Sequence, residues 1–205
     1  MSERLVVLAS SAGSNLQAIL DACSSGRVAG EVVQVVVNRA GAGARRRARN
    51  AGVAEIHRPL GPYRARHADD RAAREAYDAD LADELEALRP DWVVLAGWMH
   101  LFTSSFLDRF PGRVVNLHPA LPGEFPGAHA IDDAWTAHER RGLNRTGVMM
   151  HLVIGEGVDD GPVLATRAVA IDPSDTRDSL ERRIHTVEHE LVASVLADLC
   201  AGALP

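Results

Sequence analysis

The feature of this sequence that most restricts its fold is the alternation of short apolar runs with amphipathic stretches. The apolar runs lie at residues 5–9, 31–37, 54–57 and 92–96, and helical patterns follow three of them at residues 16–23, 44–51 and 69–88. Strands that are apolar on both sides suit a parallel sheet that helices cover on both faces. The alternation therefore predicts an α/β fold with a doubly wound, mainly parallel sheet.

The last third of the chain departs from this alternation. Two β-rich runs, residues 146–154 and 163–171, are separated by a glycine-rich loop that has no room for a helix. Strands so close along the chain pair antiparallel, because a parallel connection needs a helical crossover. We therefore expect a mixed sheet with a C-terminal antiparallel extension, a final helix over residues 177–199 and one domain spanning residues 1–205.

Composition excludes several classes of protein. The chain has 205 residues and a net charge of −6, and all 22 of its basic residues are arginine. The negative charge disfavours a nucleic-acid partner, and the absence of lysine excludes a lysine Schiff base. Two cysteines without a CxxC spacing, no HExxH-type ligand set, no signal peptide and no apolar run of membrane-spanning length favour a cytoplasmic protein with no metal and no membrane contact.

The most informative polar residues follow two valines near the middle of the chain. In the segment at residues 113–119, Asn116 and His118 lie two residues apart on a predicted strand, and Pro119 ends it. Alternate side chains of a strand point to one side, so this amide and imidazole sit about 7 Å apart. The carboxyl ends of strands are where open α/β sheets bind ligands, and the pair suits the stabilisation of an oxyanion. The same pair could instead satisfy a local turn.

Two further segments have both a structural and a functional interpretation. The loop at residues 10–15 joins the first strand to a helix, so it is either an ordinary capped turn or an anion site at a helix N-terminus. The bulky cluster at residues 98–102 follows a strand end, where it either fills the core or forms the wall of a pocket for a flat ligand.

Four motifs in order then give the chain a specific resemblance. They are Ser-Asn-Leu at residues 14–16, Asn-Leu-His-Pro-Ala-Leu at 116–121, Thr-Gly-Val at 146–148 and Val-Asp-Asp-Gly-Pro at 158–162. Together they resemble the folate-dependent formyltransferases, over nearly the whole chain. The resemblance implies transfer of a formyl group from 10-formyltetrahydrofolate to the amine of phosphoribosylglycinamide in purine biosynthesis, without a metal.

The resemblance also implies a role for particular residues. The catalytic set would be Asn116, His118 and Asp159, with His118 protonated and held by Asp159. The substrate-binding residues would be Gly13, Ser14, Asn15, Met99, Pro119 and Glu188. The folate-binding residues would be Arg74, Trp98, Met99, His100, Leu101, Phe102, Gly155, Glu156, Gly157 and Val158, with Arg74 facing the glutamate carboxylate of the folate.

This chain differs from the family pattern beside the folate. His100 stands where several members have arginine. Binding of the folate tail is therefore expected to depend more on Arg74. Between His151 and Asp159 there is one residue more than usual, so the loop in between is expected to follow its own path.

Other functions share part of this pattern. A formyltransferase acting on another small amine, a formyltetrahydrofolate hydrolase, and a non-catalytic folate- or nucleotide-binding protein are the alternatives. The predicted partners are small molecules only, and the chain is expected to be a monomer or a homodimer. Formyl release that depends on an amine acceptor would distinguish a transferase from the other two classes.

Overall fold

A single seven-stranded mixed sheet forms the centre of the computed structural model, which describes residues 2–204. The strand order is β3-β2-β1-β4-β5-β6-β7. The strands are β1 (Glu3–Ala9), β2 (Gly30–Val37), β3 (Glu55–His57), β4 (Trp92–Leu95), β5 (Val114–His118), β6 (Arg145–Leu152) and β7 (Val163–Ala170). Strands β1 to β5 pair in parallel, whereas β6 and β7 pair antiparallel, which confirms the predicted α/β class.

Helices cover both faces of this sheet. They are α1 (Ser14–Ser24), α2 (Gly43–Asn50), α3 (Gly61–Arg64), α4 (Asp70–Glu86), α5 (Ser104–Leu107), α6 (Ala130–Arg141) and α7 (Arg177–Cys200). Strand β1 shows why both faces need covering: Leu5 and Val7 enter one apolar core, and Val6 and Leu8 enter the other. Helices α1, α2 and α7 contribute to the first core, and α4 and α5 to the second. None of the helices described within residues 2–204 is long and apolar enough to cross a membrane.

Side chains cap two of the helices. The side chain of Asp69 caps α4, and Thr176 caps α7 through a reciprocal pair of hydrogen bonds with Ser179. The connection between β3 and α4, for which the sequence pattern predicts no helix, contains the one-turn helix α3. Pro62 in the first turn favours this helix, because its missing N–H leaves no helical hydrogen bond unmade.

The course of the chain creates a crevice at one edge of the sheet. From β1 the chain builds β2 and β3 on one side, and β4 and β5 then lie on the other side. Ligands bind at such a switch point, outside the carboxyl ends of the strands. The loop after β1, the loop after β4 and the end of β5 all meet there.

The bulky cluster after β4 divides between core and surface. Trp98 and Phe102 are buried in the core beneath α4, whereas Met99 is 44% exposed and Leu101 46% exposed. Trp98 and Phe102 thus contribute to the core, whereas Met99 and Leu101 are exposed.

Candidate active site

A cavity of about 480 Å³ occupies the switch-point edge of the sheet. Its walls include the proposed catalytic residues Asn116, His118 and Asp159. The proposed substrate-binding and folate-binding residues that also line it are Gly13, Ser14, Asn15, Met99, Pro119, Glu188, Trp98, His100, Leu101, Phe102, Gly155, Gly157 and Val158. Segments remote in the chain thus meet around one space that is large enough for small-molecule ligands.

Asn116 and Asp159 are in direct contact at the centre of the cavity. The amide nitrogen of Asn116 donates to Asp159 Oδ1 at 3.0 Å and lies 3.2 Å from His151 Nε2. His151 is buried on β6, opposite Asn116 in the antiparallel pairing, and its Nδ1 lies 3.0 Å from the carbonyl oxygen of Leu152. A proton on Nδ1 satisfies that carbonyl and leaves Nε2 as an acceptor for Asn116. Both N–H groups of the Asn116 amide then donate hydrogen bonds within the protein, one to Asp159 Oδ1 and one to His151 Nε2.

His118 is also engaged by the protein on both sides of its ring. Its Nε2 lies 3.0 Å from the carbonyl oxygen of Phe125, and its Nδ1 lies 3.4 Å from Asp159 Oδ2. Burial lowers the pKa of His118 below its usual 6.5, and the charge of Asp159 and the bond to Phe125 only partly oppose this shift. The lowered pKa favours the neutral imidazole over the protonated ring that the resemblance implied, and the contact with Phe125 places the proton of the neutral ring on Nε2.

Asp159 is held in place from several directions. Its Oδ2 accepts a hydrogen bond from the backbone N–H of Gly127 at 2.8 Å, and His151 Nε2 lies 3.5 Å from its Oδ1. Burial acts to raise the pKa of this carboxyl, but the contact with the His151 ring, the hydrogen bond from the Gly127 N–H and the positive charge that either imidazole carries when it is protonated outweigh burial, so the pKa is lowered. Asp159 has a φ of +53°, in the left-handed region that aspartate tolerates better than most residues. A charged acceptor thus sits between two imidazoles.

The start of α1 forms the second end of the cavity. Gly13 has a φ of +75°, and a Cβ there would lie 2.7 Å from the Cα of Ala44, so only glycine fits. No side chain caps this helix, in contrast to α4 and α7. The first N–H groups of any helix have no intrahelical acceptor, and here they belong to residues that line the cavity, the arrangement in which helix N-termini bind anions.

Two residues of α7 complete the same end. Glu188 is buried and lies in hydrogen-bond contact with His185, whose Nδ1 is 2.5 Å from Glu188 Oε2. This bond raises the pKa of His185, against the effect of burial. His185 and His151 line the cavity without having been predicted as site residues. The three-residue spacing from Glu188 could have revealed His185, but His151 carries no comparable local signal.

The remaining predicted folate contacts lie outside this cavity. Arg74 lines a smaller adjoining space of about 190 Å³, where its Nη2 donates to the carbonyl oxygen of Leu101 at 2.9 Å. Glu156 lines that smaller space as well, and its side chain points away from the main cavity. Of the predicted folate-binding residues, these two are the ones that the structure does not bring to the main cavity.

His100 leads to a prediction about stability. Its ring packs on Tyr77 and Trp98, and burial, together with the charges of Arg74 and other arginines, lowers its pKa to about 4. In the unfolded chain His100 becomes protonated as the pH falls below 6.5, whereas in the native protein it stays neutral until about pH 4. The free energy of unfolding therefore decreases as the pH falls across that interval. His100→Gln removes this term.

Urea unfolding at pH 7.5 and pH 5 measures the effect. Between these values wild type should lose about 1 kcal/mol more than His100→Gln, after allowance for the partial exposure of the ring. Equal losses in both proteins would contradict the buried neutral state of His100.

Three kinds of side chain define the chemistry available in the site. Within residues 2–204, no group of three or more His, Cys, Asp or Glu side chains is placed to hold a metal ion. An amide, an imidazole and a carboxylate meet instead at the end of a parallel strand, beside an uncapped helix N-terminus. The fold and the site thus define an α/β enzyme whose cavity gathers an amide, an imidazole and a carboxylate at the ends of the strands.

Comparison with known proteins specifies the family. The family model described as formyl transferase matches residues 3–196, and the chain belongs to this family. It is 39% identical over 201 residues to phosphoribosylglycinamide formyltransferase of Schizosaccharomyces pombe, which covers 96% of each chain. It is also 39% identical to the trifunctional purine biosynthetic protein adenosine-3 of Drosophila melanogaster, over 98% of this chain and 14% of that protein.

Solved structures agree with the sequence comparison. The crystal structure of glycinamide ribonucleotide transformylase 1 from Geobacillus kaustophilus is 38% identical, with a TM-score of 0.87 over 98% of this chain and 100% of that one. The sheet, its strand order and the C-terminal antiparallel strands therefore belong to a known formyltransferase architecture, as the resemblance implied.

Proposed function

We propose that this chain transfers the formyl group of 10-formyltetrahydrofolate to the amine of phosphoribosylglycinamide, a step of purine biosynthesis. The observation that carries the proposal is the meeting of Asn116, His118 and Asp159 in one cavity of a chain that matches phosphoribosylglycinamide formyltransferases along nearly its full length. The amine attacks the formyl carbon and gives a tetrahedral oxyanion. The attacking nitrogen loses a proton, N10 of the folate gains one, and the bond between the formyl carbon and N10 then breaks to release the formylated amine and tetrahydrofolate.

Two donors are available for this oxyanion. An N–H of the Asn116 amide would turn from its protein acceptors to the developing oxygen, and His118 Nε2–H would exchange the carbonyl oxygen of Phe125 for the same oxygen. Donors that strengthen their bonds only as charge develops favour the transition state over the ground state. Each such donor typically contributes ~10²–10³ in rate.

The neutral state of His118 assigns it a second role. Its Nδ1 carries a lone pair and can accept the proton that the attacking amine loses, directly or through water. The imidazolium formed in this way lies 3.4 Å from Asp159 Oδ2, and this carboxylate stabilises the new charge. In this scheme the ring becomes cationic at the same time as the oxygen becomes anionic.

The two ends of the cavity suit the two substrates. The uncapped N-terminus of α1, with Gly13, Ser14 and Asn15, would bind the ribonucleotide phosphate, and Glu188 would accept hydrogen bonds from the ribose. A pteridine needs apolar walls and backbone hydrogen bonds, which the segments 97–102 and 155–158 offer. Met99 and Pro119 lie between these ends and would contact the reacting groups.

One assay tests the proposed reaction. Purified protein is mixed with 10-formyltetrahydrofolate, with and without phosphoribosylglycinamide, and loss of the formyl group is followed. The proposal requires release that depends on the ribonucleotide and yields its formylated product. Release without the acceptor would indicate a hydrolase, and no release under either condition would indicate a binding protein. Release with other amines, but not with this one, would move the activity to a different acceptor.

Arg74 tests the position of the folate tail. If its guanidinium binds the glutamate carboxylate, Arg74→Ala should raise the KM for folate about tenfold and leave the KM for the ribonucleotide unchanged. Arg74→Lys should fall between wild type and alanine, because it keeps the charge but loses the planar fork. Arg46→Ala, which removes an exposed arginine of α2, is the control. An unchanged folate KM in Arg74→Ala would contradict this placement.

The proposal includes three broader features of the protein. The chain forms one formyltransferase domain over residues 1–205. The protein is a monomer or homodimer in solution and is located in the cytoplasm. The unpaired thiols of Cys23 and Cys200 support a reducing compartment. Sedimentation equilibrium across a range of protein concentrations measures the oligomeric state.

A further inference from the structure

The loop between β6 and β7 crosses the cavity with little support from its own backbone. The N–H of Leu152 donates to the carbonyl oxygen of Pro162, and the N–H of Val153 donates to that of Val114. Between these two anchors, residues 154–161 make no backbone–backbone hydrogen bond to the rest of the described chain. Asp159 belongs to this segment, so its position depends on side-chain contacts.

Two side chains of this segment, three residues apart, attach it to the protein. Asp159 holds the inner side of the loop at the catalytic centre. Glu156 holds the outer side: its Oε1 accepts hydrogen bonds from the backbone N–H of Ser104 at 3.0 Å and from the Ser104 hydroxyl at 3.2 Å. The guanidinium of Arg71 lies 3.3 Å from Glu156 Oε2. Donation by Ser104 is the main cause of the lowered pKa of Glu156, so this carboxylate is charged at neutral pH.

The partners of Glu156 belong to a fixed part of the fold. Arg71 lies on α4, and Ser104 begins α5. The residue before Ser104 is Thr103, whose N–H and hydroxyl both donate to the buried Asp78 of α4, at 2.6 Å and 2.8 Å. Glu156 therefore ties the loop that lines the cavity to α4 and to the start of α5.

We infer that Glu156 is a positioning residue, which holds the loop at residues 154–161 closed against the folate side of the cavity through Ser104 and Arg71. That folate is the ligand of this loop rests on the proposed function. The attachment of the loop through Glu156 does not depend on it. Gly155, Gly157 and Val158 line the cavity on either side of Glu156, so their backbone is in place only while the loop is attached.

The expected effect differs between the two substrates. Detachment of the loop lowers the fraction of molecules in which this loop lines the folate side of the cavity. The apparent affinity for folate falls in proportion to that fraction. The ribonucleotide binds at α1 and α7, away from this loop. Asp159 keeps its own contacts with Asn116, His118 and Gly127, so the chemical step should change less than folate binding.

Kinetics of two Glu156 variants test the inference. Glu156→Ala should raise the folate KM about tenfold, with the ribonucleotide KM and kcat changing less than about threefold. Glu156→Gln keeps an acceptor for Ser104 and should recover most of the loss. Glu75→Gln is the matched control, because it removes the other carboxylate bound to Arg71, at 2.7 Å, and leaves Glu156 untouched. It should match wild type.

Limited proteolysis measures detachment of the loop without requiring enzymatic activity. Ile154 is 63% exposed and Val158 38% exposed, and both are residues before which thermolysin cleaves. Cleavage within residues 153–162, followed by mass spectrometry, should be about tenfold faster in Glu156→Ala than in wild type, because cleavage tracks the detached population. Glu75→Gln should be cleaved at the wild-type rate.

The outcomes separate this inference from the proposed reaction. Wild-type protein without formyl transfer would overturn the reaction, whereas faster loop cleavage in Glu156→Ala would still support the attachment. Active Glu156→Ala with an unchanged folate KM and wild-type cleavage would overturn the inference alone. Equal losses in kcat and in both KM values, without recovery in Glu156→Gln, would indicate general damage to the structure and would also overturn it.

Discussion

Replacing Asp159 by asparagine should lower kcat for formyl transfer by about 10³ while leaving the fold intact. Asparagine has the same size, and it tolerates the left-handed backbone that residue 159 adopts at a φ of +53°. The loss follows from charge: an amide cannot stabilise the imidazolium that His118 becomes when it takes the amine proton. Single-turnover measurement of formyl transfer, together with urea unfolding, separates the chemical loss from a loss of stability.

The pH profile of the two proteins makes this prediction sharper. His118 must be neutral to accept a proton, so the wild-type rate should fall as the pH drops through its pKa, which lies below 6.5. Asp159 raises that pKa by its charge, and Asp159→Asn removes the contribution, so the acid limb should move to lower pH. An acid limb in the same place, or turnover near the wild-type level, would contradict the role of the carboxylate.

The sheet was predictable because its strands are encoded locally. Buried parallel strands such as β1 and β4 are continuous apolar runs, and the short separation of β6 from β7 permits only antiparallel pairing. Helix α3 was missed because one turn has too few residues for a periodic pattern, and its only signal is a proline. The division of the cluster at residues 98–102 between core and cavity also depends on tertiary packing that no local pattern records.

The candidate site was predictable only in part. The pairing of Asn116 with His118 follows from strand geometry, and the resemblance added Asp159 from a distant motif. The acceptors that occupy these groups were not predictable: the carbonyl of Phe125 has no sequence signal, and His151 reaches Asn116 through the register of two antiparallel strands. Burial, which makes His118 neutral, is likewise a property of the assembled cavity rather than of the motif.

Glu156 was expected to contact the folate, but its side chain binds other residues of the protein. The resemblance implied that it binds the folate, and the neighbouring Gly155 and Gly157 do line the cavity. Its side chain instead meets Ser104 and Arg71, residues that are separated from it by 52 and 85 positions. Long-range ion pairs of this kind depend on where two loops converge, and neither spacing nor composition predicts that.

Asn116→Ala should lower kcat by about 10²–10³, through loss of an oxyanion donor, with little change in either KM. The amide has a second possible role, because its hydrogens also hold Asp159 and His151. A double-mutant cycle with Asp159→Asn separates the two roles. If Asn116 only positions Asp159, its removal costs nothing further once that carboxylate is gone.

If Asn116 donates to the oxyanion, its removal costs about 10² even in the Asp159→Asn background, since the developing charge on the formyl oxygen is still present. Single-turnover rates with saturating substrates in all four proteins complete the cycle. Urea unfolding of the same four proteins controls for stability, because Asn116 is partly buried on β5. Full loss of the Asn116 effect in the Asp159→Asn background would remove the amide from the oxyanion site and leave His118 as its donor.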